Sequence, residues 1–217
     1  MTYIQYGCGY SAPDEWLNFD SSPTIRLEKL PLVGRFVRKN AMRFPENIVV
    51  GDIVAGLPVP DNSADGVYAS HVLEHLARTD FEIALRNTFR ILKPGGLFRL
   101  VVPDLEERAR RYLQQLDSSS SSANDWFMRA TYLGLEQRPS SLVQKVSRAL
   151  GGSLHHWMWD YVSMHAQLER SGFVNIRRCS FGDSGDGMFK LVEESKRFHD
   201  PVNQIRELAV EAQKPSS

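Results

Sequence analysis

The stretch Thr2-Tyr3-Ile4-Gln5-Tyr6-Gly7-Cys8-Gly9 decides how this chain is read. Residues 2–6 are rich in β-formers and stop abruptly at glycine, which predicts a first strand running into a tight turn. Glycines at such a turn let the backbone approach a ligand closely. Similar polar stops recur downstream. A second short strand over 16–19 ends at Asp20, a third over 47–50 ends at Gly51-Asp52, and a fourth over 65–69 ends at Ser70-His71. A fifth, 97–102, follows Lys93-Pro94-Gly95-Gly96, whose proline and glycines halt a helix and turn the chain.

Helical spacing fills the gaps between these strands. Phe81, Ala84, Leu85, Thr88, Phe89 and Leu92 mark an amphipathic helix, with Thr79 and Glu82 as its expected capping box. Leu105, Ala109, Tyr112, Leu113 and Leu116 mark another, closed by Asp117 and five serines that read as a connector. Strands alternating with helices imply an α/β, mainly parallel sheet covered on both faces. Residues 118–155 interrupt that rhythm. Trp126, Phe127, Ala130 and Leu133 suggest one helix and residues 142–150 a second, so this stretch is expected to be a helical insertion over the site. The alternation resumes with a helix over 161–171, a strand over 174–181 and a late β-like segment over 205–213.

The 217 residues suit a single domain, and 26 basic against 26 acidic side chains leave no summed charge to attract phosphate backbones. A nucleic-acid partner would need a local basic patch, and only short ones such as 35–43 occur. Cys8 and Cys179 form no CxxC or zinc-type cluster, which fits a reducing cytoplasm. Nowhere do eighteen apolar residues run together, so no membrane span is expected.

In wound α/β sheets, ligands bind beyond the carboxyl ends of the strands, where all four polar stops fall. An acid ending the second strand can accept hydrogen bonds from both ribose hydroxyls. A dinucleotide fingerprint would carry a third glycine, with its acid about twenty residues further on. Here that third glycine is absent and Asp20 follows Gly9 by only eleven residues, so the usual first helix must shrink to a turn or a single loop. A pyrophosphate would then lack its helix N-terminus, which favours a cofactor without phosphates.

Three further stretches carry a family likeness. Gly51-Asp52-Ile53 with Leu57-Pro58-Val59-Pro60-Asp61-Asn62-Ser63-Ala64-Asp65, then Ser70-His71-Val72-Leu73-Glu74-His75-Leu76, then Leu92-Lys93-Pro94-Gly95-Gly96 resemble, in order and spacing, the motifs of the class I S-adenosylmethionine-dependent methyltransferases of the type 11 group. Residues 15–20, His156-Trp157-Met158-Trp159-Asp160 and 209–215 look like a branch with a shortened first helix, often linked to sugar, polysaccharide or natural-product modification. The resemblance implies a Rossmann-like, doubly wound, mainly parallel sheet as one methyltransferase domain, with 118–155 as an acceptor lid. It implies S-adenosyl-L-methionine as cofactor, S-adenosyl-L-homocysteine as product, and cofactor contacts from Gly7, Cys8, Gly9, Asp20, Ser21, Asp52, Ile53, Ser70 and His71. Gln5 replaces the acid usual two positions before the turn.

Asp61 and Asp65 read as turn residues, and Asp104 as a helix cap. Glu74 and His75 read as capping or packing residues. His155 and His156 with Trp157, Trp159 and Asp160 form a denser polar and aromatic cluster than a plain connector needs. No third histidine or cysteine follows at ligand spacing, so no metal is expected. Methyl transfer to a hydroxyl needs alignment and a proton acceptor, and His156 oriented by Asp160 is the expected pair, with His71 in reserve. The expected acceptor is a hydroxyl of a sugar, glycan or small-molecule natural product. The alternatives are a nicotinamide-dependent oxidoreductase and a non-catalytic cofactor-binding partner subunit.

Overall fold

The strand ends named above converge in space. In the computed structural model, which describes residues 1–29, 43–134 and 154–216, β1 (Tyr3–Tyr6), β2 (Trp16–Asp20), β3 (Ile48–Val50), β4 (Ala64–Ser70) and β5 (Leu92–Val102) lie parallel. Two later strands, β6 (Val174–Arg178) and β9 (Leu208–Gln213), complete a seven-stranded sheet of order β3-β2-β1-β4-β5-β9-β6. β9 runs antiparallel to both of its neighbours, β5 and β6. The order reverses between β1 and β4, so the carboxyl ends of those two strands flank a crevice, the place where such sheets take ligands.

Side-chain alternation splits the core in two. Ile4, Val67, Phe98 and Leu100 face α2 (Arg78–Ile91) and a later helix, Tyr161–Arg170, through Phe81, Leu85, Met164 and Leu168. On the opposite face Tyr3, Trp16, Tyr68 and Val101 pack against Phe189, Val192 and Phe198. Those last residues come from a 3-10 turn, Gly187–Leu191, and a one-turn helix, Ser195–Phe198, in place of long crossover helices. The remaining short elements are α1 (Pro23–Glu28), α3 (Leu105–Asp117), α4 (Ala123–Ala130) and a two-stranded ribbon of β7 (His199–Asp200) and β8 (Ile205–Arg206). We number Tyr161–Arg170 α5 and Ser195–Phe198 α6.

Several boundaries differ from expectation for local reasons. No side chain caps α2: its N-cap is Ala77, Thr79 already lies inside the helix, and Glu82 pairs with Arg78 at 3.8 Å. β5 begins at Leu92, and 93–96 bulge out between the pairs Ala64↔Leu92 and Gly66↔Leu97. β6 stops at Arg178 because Arg177 and Arg178 turn to Asp183, Glu211 and Asp104. The expected cap by Asp104 is present, its Oδ1 accepting from the Glu106 and Glu107 amides at 2.9 and 3.4 Å.

Buried ion pairs lock the carboxyl-terminal third onto the sheet. Arg99 on β5 meets Glu193 and Glu211, and Arg108 on α3 forms a two-pronged pair with Glu207 at 2.8 and 2.9 Å. Lys214 donates to the carbonyls of Phe89 and Leu92 at the end of α2, where the helix dipole favours a cation. Within the expected insertion, α4 packs on α3, and the Arg108 guanidinium donates to the Ala130 carbonyl at 2.8 Å. The helix expected over 142–150 lies outside the described residues, as does most of the 35–43 basic stretch. Among the described residues, no helix is long and apolar enough to cross a membrane.

Candidate active site

The turn after β1 takes its shape from two left-handed glycines, with φ of 65° at Gly7 and 56° at Gly9. A side chain at Gly7 would drive a Cβ to 2.1 Å from the Val72 Cγ2, so only hydrogen lets this turn pack against the loop after β4. Gly9 differs: a Cβ there would meet nothing within 4 Å. From Gly7 to Glu15 the chain is loop and turn, with no helix behind the glycines. Gln5 holds that loop in place of an acid, donating to the Ser11 carbonyl at 2.7 Å and the Asn18 side chain at 2.6 Å. Burial, with a smaller push from Asp20, drives the Cys8 thiol up to about 12, so Cys8 is an apolar wall and not a nucleophile.

Asp20 sits buried at the tip of β2. Its two oxygens accept from the Gly9 amide at 3.0 Å and the Ser22 amide at 2.8 Å, which fixes the glycine loop and leaves each oxygen a spare lone pair for a vicinal diol. Ser21 beside it accepts from Arg26 through its carbonyl, and Ser22 caps α1. Past β3, Asp52 receives the Val54 amide at 2.9 Å and lies 3.8 Å from Arg26. The Ile53 side chain beside it is buried in the core. A cleft lined by Gln5, Gly7, Cys8, Ser70, Glu194 and Arg197 opens between β1 and β4. The Tyr68 and Ser70 hydroxyls on its wall complete no hydrogen bond among the described residues. An open glycine, a carboxylate with spare acceptors and two unpaired hydroxyls fit a ribose-bearing cofactor that carries no phosphate.

At the end of β4 the chain makes a strained corner. His71 has φ of 54°, and its Nε2 lies 2.9 Å from the Arg197 carbonyl, so that nitrogen carries the proton. Nδ1 then faces Glu74 Oε1 at 3.3 Å. Burial pushes the His71 pKa down, but the Glu74 carboxylate and the Arg197 carbonyl outweigh it and hold the imidazole above its ordinary value. With both ring nitrogens engaged by the protein, His71 shapes the corner and is not poised to take a proton from an acceptor.

Glu74 is the residue that sequence reasoning undervalued. It is 1% exposed, and neither of its carboxylate oxygens completes a hydrogen bond among the described residues. Around it stand His71, His75 with Nε2 at 3.9 Å, and His155, whose ring lies 5.3 Å from that of His75. Burial pushes His155 down to about 4, which keeps it neutral. Tyr132 packs on His155 with ring centres 4.9 Å apart. Only an E-H pair at the start of a helical segment signalled this, and such pairs are ordinary.

The expected pairing of His156 with Asp160 does not form. Asp160 is the N-cap of α5, accepting the Ser163 amide at 2.8 Å in a reciprocal capping box, and is thereby turned away from a histidine-orienting role. His156 is exposed, and its backbone amide donates to the Glu74 carbonyl at 2.8 Å. Trp159 is the clamp: it is buried, stacks on Phe81 at 4.2 Å, and its carbonyl accepts the Leu105 amide.

The family described as methyltransferase domain matches residues 4–100, the span that holds β1 to β4, most of β5 and the glycine-turn side of the cleft. Over those residues the chain is similar to the class I S-adenosylmethionine-dependent methyltransferases. A sterol 24-C-methyltransferase of Aspergillus fumigatus is 30% identical over 103 residues, which are 45% of this chain and 26% of that protein. This chain thus matches about a quarter of that relative's length. Two solved structures share the fold: a SAM-dependent methyltransferase of Methanosarcina mazei, at TM-score 0.53, 14% identity and coverage of 100% of this chain and 93% of that one, and one of Thermotoga maritima, at TM-score 0.51, 15% identity and coverage of 98% and 82%. The cofactor of the methyltransferase domain is S-adenosylmethionine, in keeping with the phosphate-free character of the cleft.

Proposed function

We propose that this methyltransferase domain acts as an O-methyltransferase on a sugar, glycan or small-molecule natural product. The observation that carries the reading is the wall beside the cofactor cleft: His71, Glu74, His75, His155, Tyr132 and Trp157 gather next to the carboxyl end of β4. Aromatic rings beside polar groups suit a hydroxylated ring, which needs flat apolar contact and hydrogen bonds together.

Gly7, Gly9, Asp20 and Ser70 hold the cofactor, with Cys8, Ser21, Asp52, Ile53 and His71 around it. Bound there, it supplies an electrophilic sulfonium methyl. The protein's share is alignment of the acceptor oxygen with the C–S bond and exclusion of water, and positioning of that kind carries much of such a rate. Residues 118–155 serve as the acceptor lid, which α4 anchors through Arg108. His156 lies exposed on the lid's return and contacts the acceptor directly.

The test supplies S-adenosylmethionine labelled in its methyl group to the purified protein with glycan and small-molecule pools. Label in a hydroxyl-derived ether supports the reading, and label only on nitrogen or carbon overturns the O-methyl assignment. Stabilisation by NAD and none by S-adenosylhomocysteine would overturn the cofactor assignment as well. His156→Ala is expected to keep cofactor affinity and slow transfer, and unchanged turnover removes His156 from the acceptor site.

A further inference from the structure

Neither histidine expected to act as the base is set up to do so, since His71 is engaged at both nitrogens and Asp160 caps a helix. Yet the most enclosed carboxylate near the cleft, Glu74, has two oxygens without a hydrogen bond among the described residues. A carboxylate taken this far from water needs positive charge or donors to offset the cost, and the His71 ring at 3.3 Å answers only one of its two oxygens. One ligand atom from each of Glu74, His75 and His155 falls within 4.8 Å of the others.

We propose that Glu74, His75 and His155 form a binding site for a divalent first-row transition cation next to the cofactor cleft. Two imidazoles and one carboxylate are the donor set of catalytic zinc and of related divalent sites. A tetrahedral ion with bonds of about 2.1 Å needs ligand atoms about 3.4 Å apart, so the set closes with ring movements of roughly 1 Å or less. His75 is already oriented for the task. Its Nδ1 lies 3.0 Å from the Leu154 carbonyl, which places the proton on Nδ1 and leaves Nε2, 3.9 Å from Glu74, with the lone pair. A backbone carbonyl holding the far nitrogen of a ligating histidine is the usual outer-shell arrangement.

The site was hidden in the sequence because two of its ligands do not follow the His155-His156 pair. Glu74 and His75 arrive from about eighty residues upstream, on the 3-10 turn after β4. The role of the ion rests on the O-methyltransferase reading, while its binding does not. An acceptor hydroxyl held at an open position is acidified by the cation and gives its proton to water. Its oxygen pair then forms the new C–O bond as the C–S pair leaves with sulfur, which accounts for the proton without a histidine base.

The test titrates the metal-free full chain with Co²⁺ as a visible probe and with Zn²⁺ in competition, in the absence of S-adenosylmethionine. One ion per chain with ligand-field bands is expected. Glu74→Gln and His155→Gln should each weaken binding by at least the ~10–100-fold that loss of an outer-shell partner costs. His165→Ala, altering a histidine on α5 that pairs with Glu169, should bind as the parent does. Circular dichroism and S-adenosylhomocysteine affinity identify variants that keep the fold. Absence of binding by the parent, or equal affinity in folded Glu74→Gln and His155→Gln variants, overturns the site and leaves Glu74 as the ion-pair partner of His71. Metal binding without methyl transfer to oxygen overturns the O-methyl reading alone.

Discussion

Replacing Gly7 by alanine tests the closest approach in the cofactor crevice. The added Cβ would stand 2.1 Å from Val72 Cγ2 and 3.2 Å from both Val72 Cβ and Cγ1, so Val72 or the turn must move. Overpacking of this kind costs roughly 1–3 kcal/mol. The left-handed φ of 65° adds about 1–2 kcal/mol for any L residue. The sum is about 2–5 kcal/mol. Only the first part depends on Val72. In Gly7→Ala/Val72→Ala the two γ-methyls are gone and Val72 Cβ remains at 3.2 Å, so the double variant should recover about 1–3 kcal/mol over the sum of the single costs, and the backbone part should persist. Urea unfolding of the four proteins gives the cycle, and S-adenosylhomocysteine titration shows whether the turn still binds. Additivity within about 0.5 kcal/mol, or a neutral Gly7→Ala, would refute the steric argument.

Three other outcomes follow from the same structure. Asp20→Ala removes the charged acceptor for the ribose and frees the Gly9 and Ser22 amides; two charged hydrogen bonds at about 1.5–3 kcal/mol each put the loss of S-adenosylhomocysteine affinity at roughly 10²–10⁴-fold, and calorimetric titration with less than a tenfold change would count against Asp20 as the ribose ligand. Glu207→Ala leaves the buried Arg108 guanidinium without its two-pronged partner and should cost about 3–5 kcal/mol in urea unfolding, whereas a cost under 1 kcal/mol would mean that water reaches the pair. Burial raises the Asp183 pKa, but Arg177, the Ser180 amide and Arg99 outweigh it and hold the carboxyl below its ordinary value. That contribution is present above the unfolded carboxyl's value and is lost as pH falls below about 4. Asp183→Asn should therefore flatten the acid-side decline in stability, and identical slopes in both proteins would contradict it.

The sheet was legible because its information is local. β1 to β4 are each a short β-forming run that stops at a polar or glycine residue, and the step from Gly9 to Asp20 leaves too little chain for a helix. The glycine loop and Asp20 could be read for the same reason. What escaped reading depends on contacts far apart in the chain. Glu74 meets His155 only because residues 154–157 run past the turn after β4, and Arg99 finds Glu193 and Glu211 across 94 and 112 positions. His156 and Asp160 do not pair because the Asp160 carboxylate is taken by the Ser163 amide as the cap of the helix that follows it. Thr79 and Glu82 had capping spacing, but the helix begins one residue before Thr79 and leaves it no cap to make.

The central claim is that the crevice between β1 and β4 binds S-adenosylmethionine, and thermal unfolding with S-adenosylhomocysteine and with NAD tests it most directly. At a hundred times its dissociation constant a ligand stabilises by about 2.7 kcal/mol. At about 2–4 °C per kcal/mol for a chain of this size, that is a rise of roughly 5–11 °C. The account predicts that rise with S-adenosylhomocysteine, its loss in Asp20→Ala, and no shift with NAD. A shift with NAD alone, or a full S-adenosylhomocysteine shift surviving in Asp20→Ala, would contradict it.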